Sequence, residues 1–133
     1  MILATTKEAV KRFGPKGGSV VNISTAALRL TQPNLSVHTA TKSAVEAITR
    51  VPAKELGPRN IRVNAVAPGV TETEGSHSQG LAGSAYIDGL VADTPLGRMG
   101  QPEDVALAVT YLTSPDARWV TGGVITASGG LRP

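Results

Sequence analysis

There is no cysteine anywhere in the 133 residues. That absence removes disulfide scaffolds, zinc ribbons, thiol nucleophiles and thiolate-held clusters together, and it fits a reducing compartment without requiring one. Aromatic residues are scarce as well. Phe13, Tyr86, Tyr111 and Trp119 are the whole set, too few for a platform on which bases stack. No segment is apolar for long enough to span a bilayer. The opening stretch Met1 to Phe13 mixes Lys7, Glu8, Lys11 and Arg12 with Ile2, Leu3, Ala9 and Val10, an amphipathic helix pattern rather than the apolar run of a signal peptide. A soluble, cytoplasmic protein without a membrane partner is expected. The net charge of +3 comes from 13 basic residues interspersed with 10 acidic ones, with no basic run, so a nucleic-acid partner is not expected either. No metal site is predicted.

What is present is a series of short periodic segments separated by glycine and proline. The length suits one domain with a core of its own, and is too short for a complete dinucleotide-binding sheet plus a substrate region. Met1 to Phe13 reads as a helix stopped by Gly14-Pro15. Ser19 to Ser24 is β-branched, follows Gly17-Gly18 and reads as a buried strand. Ser36 to Leu56 places Val37, Ala40, Ala44, Val45, Ile48 and Val51 at helical spacing. Pro52 interrupts it, at a cost of about 3 kcal/mol inside a helix, which predicts a kink near Ile48 to Val51 or an early end. Ile61 to Ala67 alternates into Pro68-Gly69 as a second strand. Residues Thr71 to Gly100 read as a long loop with a short helix near Ser84 to Ala92, a segment of the kind that covers a site. Pro102 opens a helix with Glu103 and Asp104 at its positive end, and Gly123 to Ala127 is the last strand. Helix and strand alternate throughout, the pattern of a parallel sheet with helical crossovers. The expected fold is therefore α/β, a partial Rossmann-like parallel sheet of about three strands with flanking helices.

Four patches share an order and spacing: Val20-Val21-Asn22-Ile23-Ser24-Thr25, His38-Thr39-Ala40-Thr41-Lys42, Asn64-Ala65-Val66-Ala67-Pro68-Gly69, and Thr121-Gly122-Gly123 with Gly129-Gly130. Together with Pro95 to Ala106 they resemble the C-terminal half of the short-chain dehydrogenases/reductases, over essentially the whole chain. The resemblance implies one truncated domain over residues 1–133. It also implies reversible hydride transfer between NAD or NADP and a ketone or alcohol. By that resemblance the catalytic positions are Thr25, His38 and Lys42, and the cofactor-binding positions are Lys42, Pro68, Gly69, Val70 and Thr73. Lys42 would hold the nicotinamide ribose and favour proton loss from the residue four positions earlier, which shares its helix face.

Two of these positions depart from the family. His38 stands where the family has tyrosine. A phenol is neutral at physiological pH and can still give up a proton. An imidazole is a comparable acid only as imidazolium, and a cation one turn away opposes that form. A neutral ring can still donate a weak hydrogen bond or act as a base. The other reading is a surface histidine left after catalysis was lost. Thr25 stands at the serine position, thirteen residues before His38, with Ser24 ahead of it. Its hydroxyl can make the same hydrogen bond with fewer rotamers, or it can be there for strand propensity alone. Only one of Ser24 and Thr25 can face the site if the strand continues that far. Pro68-Gly69 with Val70 and Thr73 is either the turn that meets the nicotinamide or an ordinary turn. Trp119 is expected to pack or to contact another subunit.

A Rossmann site also needs a glycine-rich strand-to-helix turn whose amides hold the pyrophosphate, and no such turn occurs in these residues. The family's upstream Asn and its adenine-binding strands would precede Met1. Cofactor affinity of this chain alone is expected to be weak, and the chain to be inactive in isolation. The alternative is a non-catalytic module that associates with itself or with a complete relative. The Val20 to Ser24 strand would be an exposed sheet edge, which favours a homo-oligomer through that edge or through the Ser36 to Leu56 helix. The Thr71 to Gly100 segment shows no pattern that identifies the substrate.

Overall fold

The structure is a computed structural model and describes residues 2–30, 32–78 and 83–131. Its centre is a parallel sheet of β1 (Gly18–Ile23), β2 (Ile61–Pro68) and β3 (Val124–Ala127), in that spatial order. Val20 lies opposite Val63, Ile23 opposite Val66, and Ala65 opposite Val124. The sheet is the three-stranded α/β fragment that the alternation predicts. β2 reads as an apolar run because it is covered on both faces, as central parallel strands are. Its residues point alternately to two cores. Ile61 and Val63 meet Val10 of α1 (Ile2–Arg12) and Ala53 of α2 (Ser36–Leu56). Val66 meets Leu112 of α5 (Pro102–Thr113) and Ala117 on the other face.

Helix α2 does not end early at Pro52; it runs on to Leu56. The physical reason is tertiary. Pro52 and Ala53 are both buried, and one turn earlier Thr49 accepts a buried hydrogen bond of 2.9 Å from Asn22 of β1. Packing on both sides of the proline offsets the lost helical bond. Asn60 then ends the following 3-10 turn in the left-handed region (φ 55°). Gly17 must be glycine there, since a Cβ at its φ of +79° would lie 2.0 Å from the Asn60 carbonyl oxygen.

β1 stops at Ile23, one residue short of the predicted end, although the Ser24 amide still donates to the Val66 carbonyl at 2.8 Å. Among the described residues β1 has no neighbour on its outer side, so it is a sheet edge as expected. Trp119 is 97% exposed, so it does not pack within this chain. No helix among the described residues is long and apolar enough to cross a membrane.

The segment from Thr71 to Gly100 holds the expected helix, α4 (Ala85–Ala92), and a shorter one that periodicity did not reveal, α3 (Glu74–Ser78). Its two ends are tied together. Thr71 bridges to Gly100. The Glu72 carboxylate lies between Gln101 Nε2 at 2.9 Å and His77 Nε2 at 3.1 Å, and these two hydrogen bonds hold it below the usual carboxylate range. Arg98 forms a two-pronged pair with Asp104 at 2.7 and 3.1 Å. That pair, with the Gln101 amide second, lowers the Asp104 carboxyl to about 2. A carboxylate lowered by folding stabilises above its unfolded value near 3.9, and that stability is lost as pH falls through the folded value. Asp104→Asn should therefore flatten the acid limb of the melting temperature between about pH 4 and pH 2. An unchanged acid limb in the variant would show that the pair contributes nothing.

Candidate active site

The predicted catalytic residues gather where α2 begins and β1 ends. His38, Lys42 and Glu46 follow one another at four-residue intervals and so share a helix face. That face borders the end of β1. Lys42 Nζ donates to the Ile23 carbonyl at 3.0 Å, and Ser24 Oγ donates to Glu46 Oε1 at 3.2 Å. Ser24 is buried and turned toward α2. Thr25 is extended (φ −154°, ψ 143°) and caps the 3-10 turn Ala26–Arg29, its Oγ1 accepting from the Ala27 amide at 3.2 Å. That bond takes a lone pair and leaves the hydroxyl proton to be donated elsewhere. His38 is exposed on the first turns of α2 and has no hydrogen-bond partner among the described residues.

The turn after β2 stands beside this group. Thr25 and Pro68 each lie two residues beyond the paired Ile23 and Val66, at the carboxyl ends of the strands, where open α/β sheets place ligands. Thr25 also lines a small pocket with Arg29, Glu46, Ala67 and Thr126. Gly69 donates to the Ala127 carbonyl at 3.0 Å. A Cβ on Gly69 would lie 2.8 Å from Ser128 Cα, so glycine is demanded here by the close approach of the chain leaving β3. Thr73 and Ser76 cap α3 reciprocally, with Thr73 Oγ1 accepting from the Ser76 amide at 3.1 Å and Ser76 Oγ from the Thr73 amide at 3.0 Å.

Thr25 and Pro68 thus lie at the carboxyl ends of β1 and β2, Lys42 is held at the end of β1, and His38 is one turn before it on α2, whereas Thr73 is engaged at the start of α3. Val70 lines a separate open pocket of about 460 Å³ with Leu96, Arg98, Ser128 and Gly130, which none of Thr25, His38 or Lys42 enters. Sequence reasoning missed Glu46, although it falls one turn after Lys42. It also missed the Glu72 clasp and the hydrogen bond from Tyr86 to Gln32, both of which join residues far apart in the chain and leave no periodic signal. Among the described residues, no three His, Asp or Glu side chains cluster as a metal would require.

Known proteins resemble this chain over nearly its whole length. A family model described as enoyl-(acyl carrier protein) reductase matches residues 2–132. An uncharacterized oxidoreductase of Methylorubrum extorquens is 53% identical over 131 residues, which are 98% of this chain and 52% of that protein. A short-chain dehydrogenase/reductase of Serratia marcescens superposes with a TM-score of 0.88 at 31% identity, covering 99% of this chain and 52% of the other. An angucycline C-6 ketoreductase solved with bound NADP superposes at 0.86 with 32% identity, covering 97% of this chain and 49% of its own. The chain spans about half the length of the relatives it matches. With the family model covering nearly every residue and the strand ends occupied as described, the chain belongs to the short-chain dehydrogenase/reductase family.

Proposed function

We propose that this chain supplies the nicotinamide side of an NAD(P)-dependent hydride-transfer site for a ketone or alcohol, and that the 133 residues do not turn over substrate by themselves. The observation that carries the reading is Lys42, one turn from His38 and anchored through Nζ on the Ile23 carbonyl at 3.0 Å. An ammonium has three N–H donors, so two are left to hold ribose hydroxyls. The fit ends there. No glycine-rich strand-to-helix turn is present to hold a pyrophosphate. When bound, the nicotinamide supplies or accepts the hydride. Of the chain's own groups, Thr25 Oγ1 donates a hydrogen bond to the substrate oxygen, and His38, one turn before Lys42 on the same helix face, exchanges a proton with it.

Comparing NADH and NADPH with reduced nicotinamide mononucleotide tests this, because the mononucleotide lacks the adenosine half. The three affinities should agree within about twofold. Tenfold tighter binding of the dinucleotides would reveal phosphate contacts and overturn the reading, and no binding at millimolar concentrations would remove the redox function from this polypeptide.

A second reading, a self-associating module without catalysis, is favoured by the outward face of α2. Val37 is 82% and Val51 56% exposed, with exposed Ala40, Ala44 and Ala47 between them. Such a stripe invites a partner. The chain is expected to sediment as a dimer or larger at micromolar concentration, and Val37→Lys with Val51→Lys to return it to monomer. A stable wild-type monomer in the ultracentrifuge would sink this reading.

A further inference from the structure

We propose that Tyr86 and Gln32 form a latch that fixes helix α4 against the loop leading to His38. In the hydride-transfer reading, on which this consequence rests, the latch holds the segment that follows β2 against the turn leading into the helix that carries His38 and Lys42. Tyr86 lies in the first turn of α4 and donates its phenol proton to Gln32 Oε1, 54 residues away in sequence. The helix has only eight residues, too few to be stable in isolation. Its Ser84 cap, accepting from the Ile87 amide at 3.3 Å, is local to it. Its one buried residue is Ile87. Among the described residues this is the polar contact that ties the start of α4 to another part of the chain, while its far end runs into buried Thr94 and into Leu96, whose amide donates to the Gly129 carbonyl at 3.0 Å.

The other end of the latch is coupled to the site. The Gln32 carbonyl accepts from the Leu35 amide at 3.4 Å, and the Leu35 carbonyl accepts from the Thr39 amide at 2.8 Å. Asn34, between them, holds the left-handed turn (φ 67°) that brings the chain into α2. A displacement of Gln32 is therefore passed through one short turn to the start of the helix that carries His38 and Lys42. Both latch groups are uncharged, a phenol donor and an amide acceptor. The contact is thus made without the desolvation of an ion pair.

Hydrogen exchange on the full chain tests the latch without any cofactor, so its outcome is independent of whether hydride transfer is the function. Tyr86→Phe and Gln32→Leu should each raise exchange of the α4 amides about threefold to tenfold, the range expected for one net hydrogen bond. The double variant should add nothing beyond either single one. Gln32→Glu keeps an acceptor for the phenol and should retain wild-type protection. The β2 amides should be unaffected in all four. Wild-type exchange in Tyr86→Phe, additive effects in the double variant, failure of Gln32→Glu to protect, or a parallel rise in β2 would each overturn the proposal.

Discussion

Replacing His38 with tyrosine is expected to raise turnover at least about a hundredfold when a glycine-rich, phosphate-binding half is supplied in trans, and to leave the isolated chain inactive. A positioned general acid or base contributes about 10² to 10⁴ in rate. A phenol at position 38 would stand four residues before Lys42, on the helix face that meets the end of β1. It also extends farther from the helix than an imidazole. The measurement is oxidation of NADPH with a small ketone, for wild type and His38→Tyr, each with and without the complementing half. Turnover by the single variant alone would refute the reading that phosphate contacts are missing. Equal turnover of the two complemented proteins would refute a proton-transfer role for position 38. Lys42→Met in the complemented His38→Tyr background should return activity to baseline, because the ribose and the proton-donating phenol lose their shared cation together.

Asn64→Ala is the substitution expected to damage the fold most. Asn64 is fully buried in the central strand. Its amide donates to the Val120 carbonyl at 2.8 Å, and its oxygen accepts from the Gly123 amide at 3.0 Å. These two bonds hold the connection from α5 into β3. Alanine strands the Gly123 amide, while Val120 keeps only the longer bond from Arg62 at 3.3 Å. An unsatisfied buried polar group costs about 1 to 3 kcal/mol. With the cavity added, a loss of about 2 to 4 kcal/mol follows, a large part of the 5–15 kcal/mol typical of a domain. Urea unfolding followed by circular dichroism reads this directly. A loss below about 1 kcal/mol would mean that the β3 connection is held by other contacts.

The strands and long helices were legible because their patterns are local. Ile61 to Ala67 reads as a buried strand from composition and from the Pro68-Gly69 stop, and it is one. The apolar spacing of α2 did not show which face is buried, because Val37, Ala40, Ala44 and Val51 are exposed while Val45, Thr49, Pro52 and Ala53 are buried against the sheet. Pro52 misled, because its cost is local while the packing that offsets it is not. Thr25 was ambiguous between site hydroxyl and strand residue, and the structure shows a third use, capping a 3-10 turn. Thr73 likewise caps α3, a helix too short to leave a periodic trace.

By itself the sequence determined the order of elements, the parallel sheet and the family, because hydrophobic period, glycine and proline stops and the spacing of Thr25, His38 and Lys42 are all properties of neighbouring residues. Tertiary structure alone decided what each polar group is bonded to. Ser24 turns to Glu46, Lys42 rests on the Ile23 carbonyl, and Tyr86 crosses to Gln32. A hydrogen bond needs two groups within about 3 Å in the right orientation, and between residues 19 to 54 positions apart only the folded chain sets that distance.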